Sequence, residues 1–186
     1  MAKFIKKQNS RNYYEVNGYR AAGIIPYFKY RDKIFILVNN EYRSKKTQLH
    51  FLGGKVEESD KEIKETALRE ANEECGYLLN CIYNELYNKL NEKNSYIKIS
   101  KSKYISYLIN IKNNNEKFWL NLPNIFENLF IKNKIKLKHN ESLKLEWVEI
   151  STCDDKNFSY LGKVLIYKLK KYFNKDLIGD YSFIWT

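Results

Sequence analysis

Gly53-Gly54-Lys55-Val56-Glu57-Glu58-Ser59-Asp60-Lys61-Glu62-Ile63-Lys64-Glu65-Thr66-Ala67-Leu68-Arg69-Glu70-Ala71-Asn72-Glu73-Glu74-Cys75-Gly76 is the stretch of this chain on which the fold turns. Ser59-Asp60-Lys61-Glu62 has the S-x-x-E form of a capping box, in which serine and glutamate satisfy each other's exposed backbone N–H groups, so a helix is predicted from Asp60. Gly76 supplies its stop, because glycine accepts the left-handed conformation that ends many helices. On a helix Asp60 to Cys75, residues about 100° apart put Ala67, Leu68, Ala71 and Cys75 on one stripe facing the core. Glu70, Glu73 and Glu74 then share an adjacent face, where like charges at i,i+3 and i,i+4 oppose the helix by about 0.2–0.5 kcal/mol per pair. Glu73 and Glu74 also stand in the last turn, where the helix dipole disfavours an anion by roughly 0.3–1 kcal/mol each. Acids gathered at the unfavourable helix end of a chain with 33 Lys and Arg are explained by a divalent cation. Carboxylates are hard oxygen ligands that suit Mg²⁺ or Mn²⁺, and two histidines far apart, His50 and His139, argue against a histidine-based zinc site.

Outward from this helix, Tyr19 to Tyr30 and Lys33 to Val38 read as two strands of a hairpin about a polar Arg31-Asp32 turn. Leu49 to Leu52 reads as a short strand running into Gly53-Gly54. Further strands are predicted near Tyr104 to Ile111 and Leu143 to Ile150, with a C-terminal amphipathic helix near Leu161 to Phe173. An insertion at about 112–140 separates the two strands. Within it Ile125, Phe126, Leu129 and Phe130 have helical spacing after Pro123, which is placed in the first turn where proline is tolerated. Residues 1–17 are polar and read as an arm, with 18–186 as one domain, since 186 residues are too few for two domains of ordinary size.

The longest apolar runs, Ala21 to Tyr27 and Ile34 to Val38, fall far short of the roughly 20 residues that cross a bilayer. Met1 to Lys7 lacks the apolar stretch and cleavage site of a secretory signal. Cys75, Cys81 and Cys153 make no CxxC pair, so a reducing, cytoplasmic location is expected. The formal charge of +11 favours polyanionic partners, although the abundance of lysine, asparagine, isoleucine and tyrosine is also what AT-rich coding produces.

Gly54 and Arg69-Glu70-Ala71-Asn72-Glu73-Glu74-Cys75-Gly76 resemble the Nudix box, G-x5-E-x7-R-E-U-x-E-E-x-G-U with U aliphatic, and keep its R-E-x-x-E-E-x-G core intact. Asp60 stands where the first glutamate belongs, and eight residues rather than seven separate it from Arg69. Tyr77 replaces the last aliphatic residue, and Leu52 stands where proline is common. Arg20-Ala21-Ala22-Gly23-Ile24-Ile25 looks like the family's first long strand, and Glu141 to Val148 like its last. The resemblance implies an α/β (α+β) fold, an α/β/α sandwich with a mixed central sheet. It implies Mg²⁺ (or Mn²⁺) held by Glu70, Glu73 and Glu74, by a backbone carbonyl of Gly53 or Gly54, and by Glu141, with Glu70 or Glu141 as general base. Arg69 is expected to orient a glutamate through a bidentate contact, and Lys55 and Arg20 to bind substrate.

The implied activity is hydrolysis of a diphosphate link in a nucleoside triphosphate or dinucleoside polyphosphate. Two other readings stand beside it: an RNA-directed enzyme that removes a 5′ cap or pyrophosphate, or an inositol-pyrophosphate hydrolase; and a binding module without catalysis. The intact acids argue against the last. Lys132, Lys134, Lys136 and Lys138 recur at every second residue, and in a strand would form a basic stripe able to follow an RNA backbone, or simply a protected sheet edge. Phe118-Trp119 reads as buried packing ahead of base stacking.

Overall fold

The computed structural model describes residues 14–43, 46–91, 95–113, 115–132, 142–154 and 157–176. Among these residues the centre is a seven-stranded mixed sheet. Strand β1 (Ala21–Tyr30) turns at Arg31-Asp32 into β2 (Lys33–Arg43), and the two pair antiparallel from Tyr27↔Ile36 to Tyr30↔Lys33. Arg31 takes a left-handed φ of 54° in that turn. On its other edge β1 runs parallel to β6 (Tyr104–Asn110), from Ala21↔Tyr104 to Tyr27↔Asn110, and β5 (Tyr96–Ile99) closes that side.

The predicted strand Leu49 to Leu52 is two strands, β3 (Lys46–His50) and β4 (Leu52–Lys55), separated at Phe51. The reason lies in the hairpin. Past Ile24 and Ile36 the partners of β1 and β2 diverge, so β4 pairs with the first half of β1 while β3 pairs with the far end of β2. The second strand also continues to Arg43, beyond the predicted Val38, because β3 and β7 (Ser142–Glu149) flank it on both sides.

Alternation along the strands sends side chains to two cores. Ala22, Ile24, Leu37, Ile105 and Leu145 join the layer of α1 (Ile63–Glu74), α2 (Tyr83–Asn91) and α3 (Glu116–Ile131), contributed by Ala67, Leu68, Leu86, Leu90, Trp119, Leu122 and Phe126. Ile25, Ile36, Val38 and Leu108 face α4 (Tyr160–Asp176), which supplies Leu165, Ile166, Leu169 and Phe173. Helices therefore cover both faces of a mixed sheet, the α/β/α sandwich expected from the sequence.

Two helix boundaries differ from the predicted ones. Helix α1 starts at Ile63 with Glu62 as its N-cap, where Glu65 accepts the Glu62 N–H at 3.2 Å and the Lys61 N–H at 2.6 Å. Ser59 does not cap it, because the chain from Glu57 to Asp60 closes on itself: Asp60 N–H donates to the Glu57 carbonyl, and Glu57 N–H to the Asp60 carboxylate. Helix α3 begins at Glu116, so Pro123 lies inside it and not in its first turn. An interior proline costs about 3 kcal/mol, but Trp119, Leu122 and Phe126 on this helix are all fully buried. Each such side chain contributes roughly 1.5–3 kcal/mol, enough to hold the helix through the proline.

At its other end α1 stops as predicted. Gly76 has φ 63°, its N–H reaches the Glu73 carbonyl, and the Tyr77 N–H reaches the Asn72 carbonyl at 2.7 Å. This pair of bonds is a Schellman motif, and it fixes the end of the helix directly after Glu74. Helix α2 and strand β5 carry no motif that marked them in the sequence. The segment Tyr14 to Val16 packs onto the domain, with Val16 1% exposed, while residues 1–13 of the expected arm lie outside the described residues.

Candidate active site on helix α1

The site forms where α1 lies against the glycine strand β4. The stripe Ala67, Leu68, Ala71 and Cys75 is buried as the spacing predicts, which turns Glu70, Glu73 and Glu74 to the adjacent, half-buried edge. Burial pushes the Cys75 thiol well above its ordinary value, so it is an inert packing residue.

Gly53 N–H donates to Glu74 Oε2 at 2.9 Å, tying the last turn of the helix to the strand. Gly54, one residue on, lies directly against the Glu70 carboxylate, and a Cβ there would run into it. Opposite, Gly23 and Gly53 face each other across the β1–β4 ladder, and the Tyr104 hydroxyl fills the space that two side chains would have taken. Burial pushes that hydroxyl's pKa up, and the Glu74 and Glu70 carboxylates push the same way.

Arg69 organises the acids, though not in the way expected. Its bidentate contact is to Asp60: Nε donates to Oδ1 and Nη2 to Oδ2, both at 3.0 Å. The glutamates share a single nitrogen, Nη1, at 3.0 Å to Glu70 and 3.4 Å to Glu73. Nη2 also donates to the Lys55 carbonyl at 2.8 Å, so one guanidinium joins the loop, the glycine strand and the helix.

The reason is distance in the chain. Asp60, nine residues before Arg69 and ahead of the helix start, is folded back by the Glu57 amide at 2.8 Å and the Thr66 hydroxyl at 2.9 Å. Asp60 is only 3% exposed. Burial alone would raise its pKa, but the Arg69 hydrogen bonds, the Glu57 amide and the Thr66 hydroxyl outweigh it and hold the carboxyl below its ordinary range. For Arg69 burial works against charge, and the Asp60 and Glu70 contacts overcome it, so the guanidinium is held still more firmly in its charged form.

Gly53, Gly54, Lys55, Arg69, Glu70, Glu73 and Glu74 are thus gathered on one edge of the sandwich. Lys55 closes β4 with an exposed side chain. Arg20 stands just before β1, its Nε 2.6 Å from Glu15, and its carbonyl accepts the Val56 N–H at 2.9 Å. Glu141, Lys134, Lys136 and Lys138 lie outside the described residues, and Lys132 caps the end of α3. Trp119 is fully buried and is not placed to stack on a base, and Phe118 is partly buried against the core.

Two features carry little mark in the sequence. One is the Asp60 clamp, whose only signal was an acid displaced by one residue in the loop. The other is a buried polar group on β2 and β3, where Asn39 Nδ2 donates to Glu41 Oε1 at 3.1 Å and His50 Nε2 lies 3.9 Å from Glu41 Oε2. Its signal was the polar residues 39 and 41 continuing the period-two register of Leu37.

Among the described residues, no three His, Cys, Asp or Glu side chains converge as a closed metal site. The donor set nevertheless fits a hard divalent cation: three carboxylates, all oxygen donors, partly exposed on one edge beside backbone carbonyls. In a closed structural site they would be fully satisfied by protein. Mg²⁺ by contrast keeps waters and binds through few protein ligands.

The sequence matches the NUDIX domain over residues 19–156, most of the chain. No curated protein matches it. Similar solved structures include a C. elegans Ap4A hydrolase in a binary complex, at 17% identity and a TM-score of 0.48, covering 84% of this chain and 99% of that one. A Nudix hydrolase from M. smegmatis, RenU, has 9% identity and a TM-score of 0.45 over 93% of this chain and 96% of its own. A NUDIX hydrolase from Nitrosomonas europaea has 12% identity and a TM-score of 0.43, with 98% and 91% covered. With the domain matched from the first strand through the glutamate helix to the last strand, the chain belongs to the Nudix family of hydrolases.

Proposed function

We propose that the protein is a Mg²⁺-dependent pyrophosphohydrolase that cleaves a diphosphate link in a nucleoside triphosphate or dinucleoside polyphosphate. The observation that carries this reading is the gathering of Glu70, Glu73 and Glu74 on one edge of the helix, with Glu73 and Glu74 at the end least suited to them, fixed there by Arg69 and the Gly53 amide. In this reading Glu70, Glu73 and Glu74 hold the cation together with a carbonyl of Gly53 or Gly54 and Glu141, and Mn²⁺ substitutes for Mg²⁺. When bound, the cation supplies positive charge that screens the phosphate oxygens and makes a water more acidic.

The chain's own groups do the rest. Glu70 or Glu141 takes the proton of the attacking water as its oxygen bonds to phosphorus and the bridging P–O bond breaks, the electron pair leaving with the departing phosphate. Arg69 keeps Glu70 and Glu73 in place throughout, since the Asp60 clamp leaves the guanidinium no other position. Lys55 at the end of the glycine strand, and Arg20 before β1, bind the substrate's phosphates.

The test is a panel of nucleoside triphosphates, dinucleoside polyphosphates, inositol pyrophosphates and capped RNA incubated with the protein and Mg²⁺. Hydrolysis of a nucleotide, abolished by a chelator, is expected. Cleavage confined to capped RNA or to inositol pyrophosphates would replace this substrate class, and no cleavage in any arm would favour the binding module.

A further inference from the structure

We infer that the exposed face of α4 is a binding surface for single-stranded nucleic acid, separate from the hydrolase site and not dependent on its assignment. The buried face of this helix, Leu165, Ile166, Leu169 and Phe173, is spent on the core. On the opposite face Tyr160 and Tyr167 are 77% and 57% exposed, well beyond what packing requires of tyrosine. At 3.6 residues per turn, Tyr160, Lys163, Tyr167 and Lys171 lie along one stripe of the helix, with Lys168 at its border. All three lysines are exposed, and the Lys171 ammonium sits 4.6 Å from the centre of the Tyr167 ring, so charge and aromatic face are presented together. No acidic residue occurs between Asp155 and Asp176 to neutralise the stripe.

Alternating cations and exposed rings suit a single strand, whose phosphates take the lysines and whose unstacked bases take the tyrosines. A duplex offers phosphates but keeps its bases stacked away from the rings. A lipid surface would need an apolar face to insert, and that face of α4 is already in the core. Eight of the 22 acids lie between Glu57 and Glu74, on and before α1 across the sheet, and those next to α4 in the chain, Asp154, Asp155 and Asp176, stand at its two ends and not along the stripe. A strand held by α4 is therefore on the opposite layer from Glu70, Glu73 and Glu74.

The test measures binding of a labelled single-stranded RNA of mixed sequence by fluorescence anisotropy across a salt series. Four variants of the full chain are compared with the parent: Lys163→Gln with Lys168→Gln and Lys171→Gln; Tyr160→Ala with Tyr167→Ala; Tyr160→Phe with Tyr167→Phe; and a control, Lys101→Gln with Lys112→Gln and Lys117→Gln. At about 0.7 per phosphate, the α4 lysine variant should flatten the slope of log affinity against log salt by about two units. The alanine pair should weaken binding roughly tenfold or more per ring, while the phenylalanine pair, which keeps the rings, should bind as the parent does. Nucleotide hydrolysis should be the same in all five proteins, which separates failure of this inference from failure of the hydrolase reading. No binding by the parent, equal loss in the control lysine variant, an unchanged alanine pair, or stronger variant-sensitive binding to duplex RNA or to phosphatidylserine vesicles would each overturn it.

Discussion

Asp60→Asn removes one charge and changes almost nothing in shape, and its cost follows from the contacts around it. The parent carboxylate accepts two bonds from Arg69, one from the Glu57 amide and one from the Thr66 hydroxyl while 3% exposed. An asparagine must turn its NH₂ toward one of these donors, and the guanidinium loses its bidentate partner. Breaking a buried ion pair from one side costs about 3–5 kcal/mol. Arg69 keeps the Lys55 carbonyl and Glu70, so the low end, about 3 kcal/mol, is expected, or a fall in Tm of roughly 6–12 °C for a domain of this size. Turnover should fall about 10–100-fold as well, because the same guanidinium holds Glu70 and Glu73. The pH dependence has a definite sign. A carboxyl whose folded pKa is lowered contributes stability that is present above the ordinary carboxylate range and lost as pH falls through the lowered folded value. Urea unfolding of parent and variant should therefore show a gap near neutral pH that narrows on acidification. A gap under about 0.5 kcal/mol at pH 7, within the range of a neutral surface substitution, or one that widens in acid, would refute the clamp.

Glu73→Gln and Glu74→Gln should each abolish Mg²⁺-dependent hydrolysis while thermal stability stays level or rises slightly, since each relieves repulsion worth about 0.2–0.5 kcal/mol per pair; parent-like turnover in either would remove it from the metal site. Gly54→Ala sets a methyl against the end of the Glu70 side chain. That carboxylate can swing away, so Tm should hold while turnover drops about a hundredfold, the order of loss that a small misplacement of a reacting group produces; unchanged kinetics would show that the placing of the Glu70 carboxylate against Gly54 does not matter to turnover. Glu141→Gln should lower kcat far more than it changes KM, because a base or metal ligand acts mainly in the transition state, and a normal kcat would turn attention to Glu127 or Glu116 on α3.

Local patterns carried the fold as far as local physics decides it. The stripe Ala67, Leu68, Ala71 and Cys75 and the glycine stop at Gly76 depend on residues within one helix, and both are as the spacing requires. The break between β3 and β4 depends on which partners lie beside β1 and β2, information no window of the chain contains. Pro123 misplaced the start of α3 for a related reason. The backbone cost of an interior proline, about 3 kcal/mol, stands alone in the sequence, because the compensating burial of Trp119 and Phe126 exists only once the sheet is there to receive them.

The site divides along the same line. Arg69, Glu70, Glu73 and Glu74 could be read because they sit on one helix, and because their arrangement contradicts what a helix alone would choose; a local conflict with stability is what a functional site looks like from sequence. In the sequence Asp60 reads as an altered box residue in a lengthened loop, and in the fold it is the clamp on Arg69. The extra residue and the shorter side chain act together. An aspartate cannot reach as far as a glutamate, and the turn from Glu57 to Asp60, closed by the Glu57 amide on the carboxylate, brings its backbone up to Arg69 instead. The same turn takes Ser59 out of the capping position and moves the helix start to Ile63, so one local rearrangement accounts for both the misplaced N-cap and the unexpected partner of Arg69. The glutamates beyond are unaffected, since their spacing is measured from Arg69 and the Schellman end of the helix fixes where Glu74 meets Gly53.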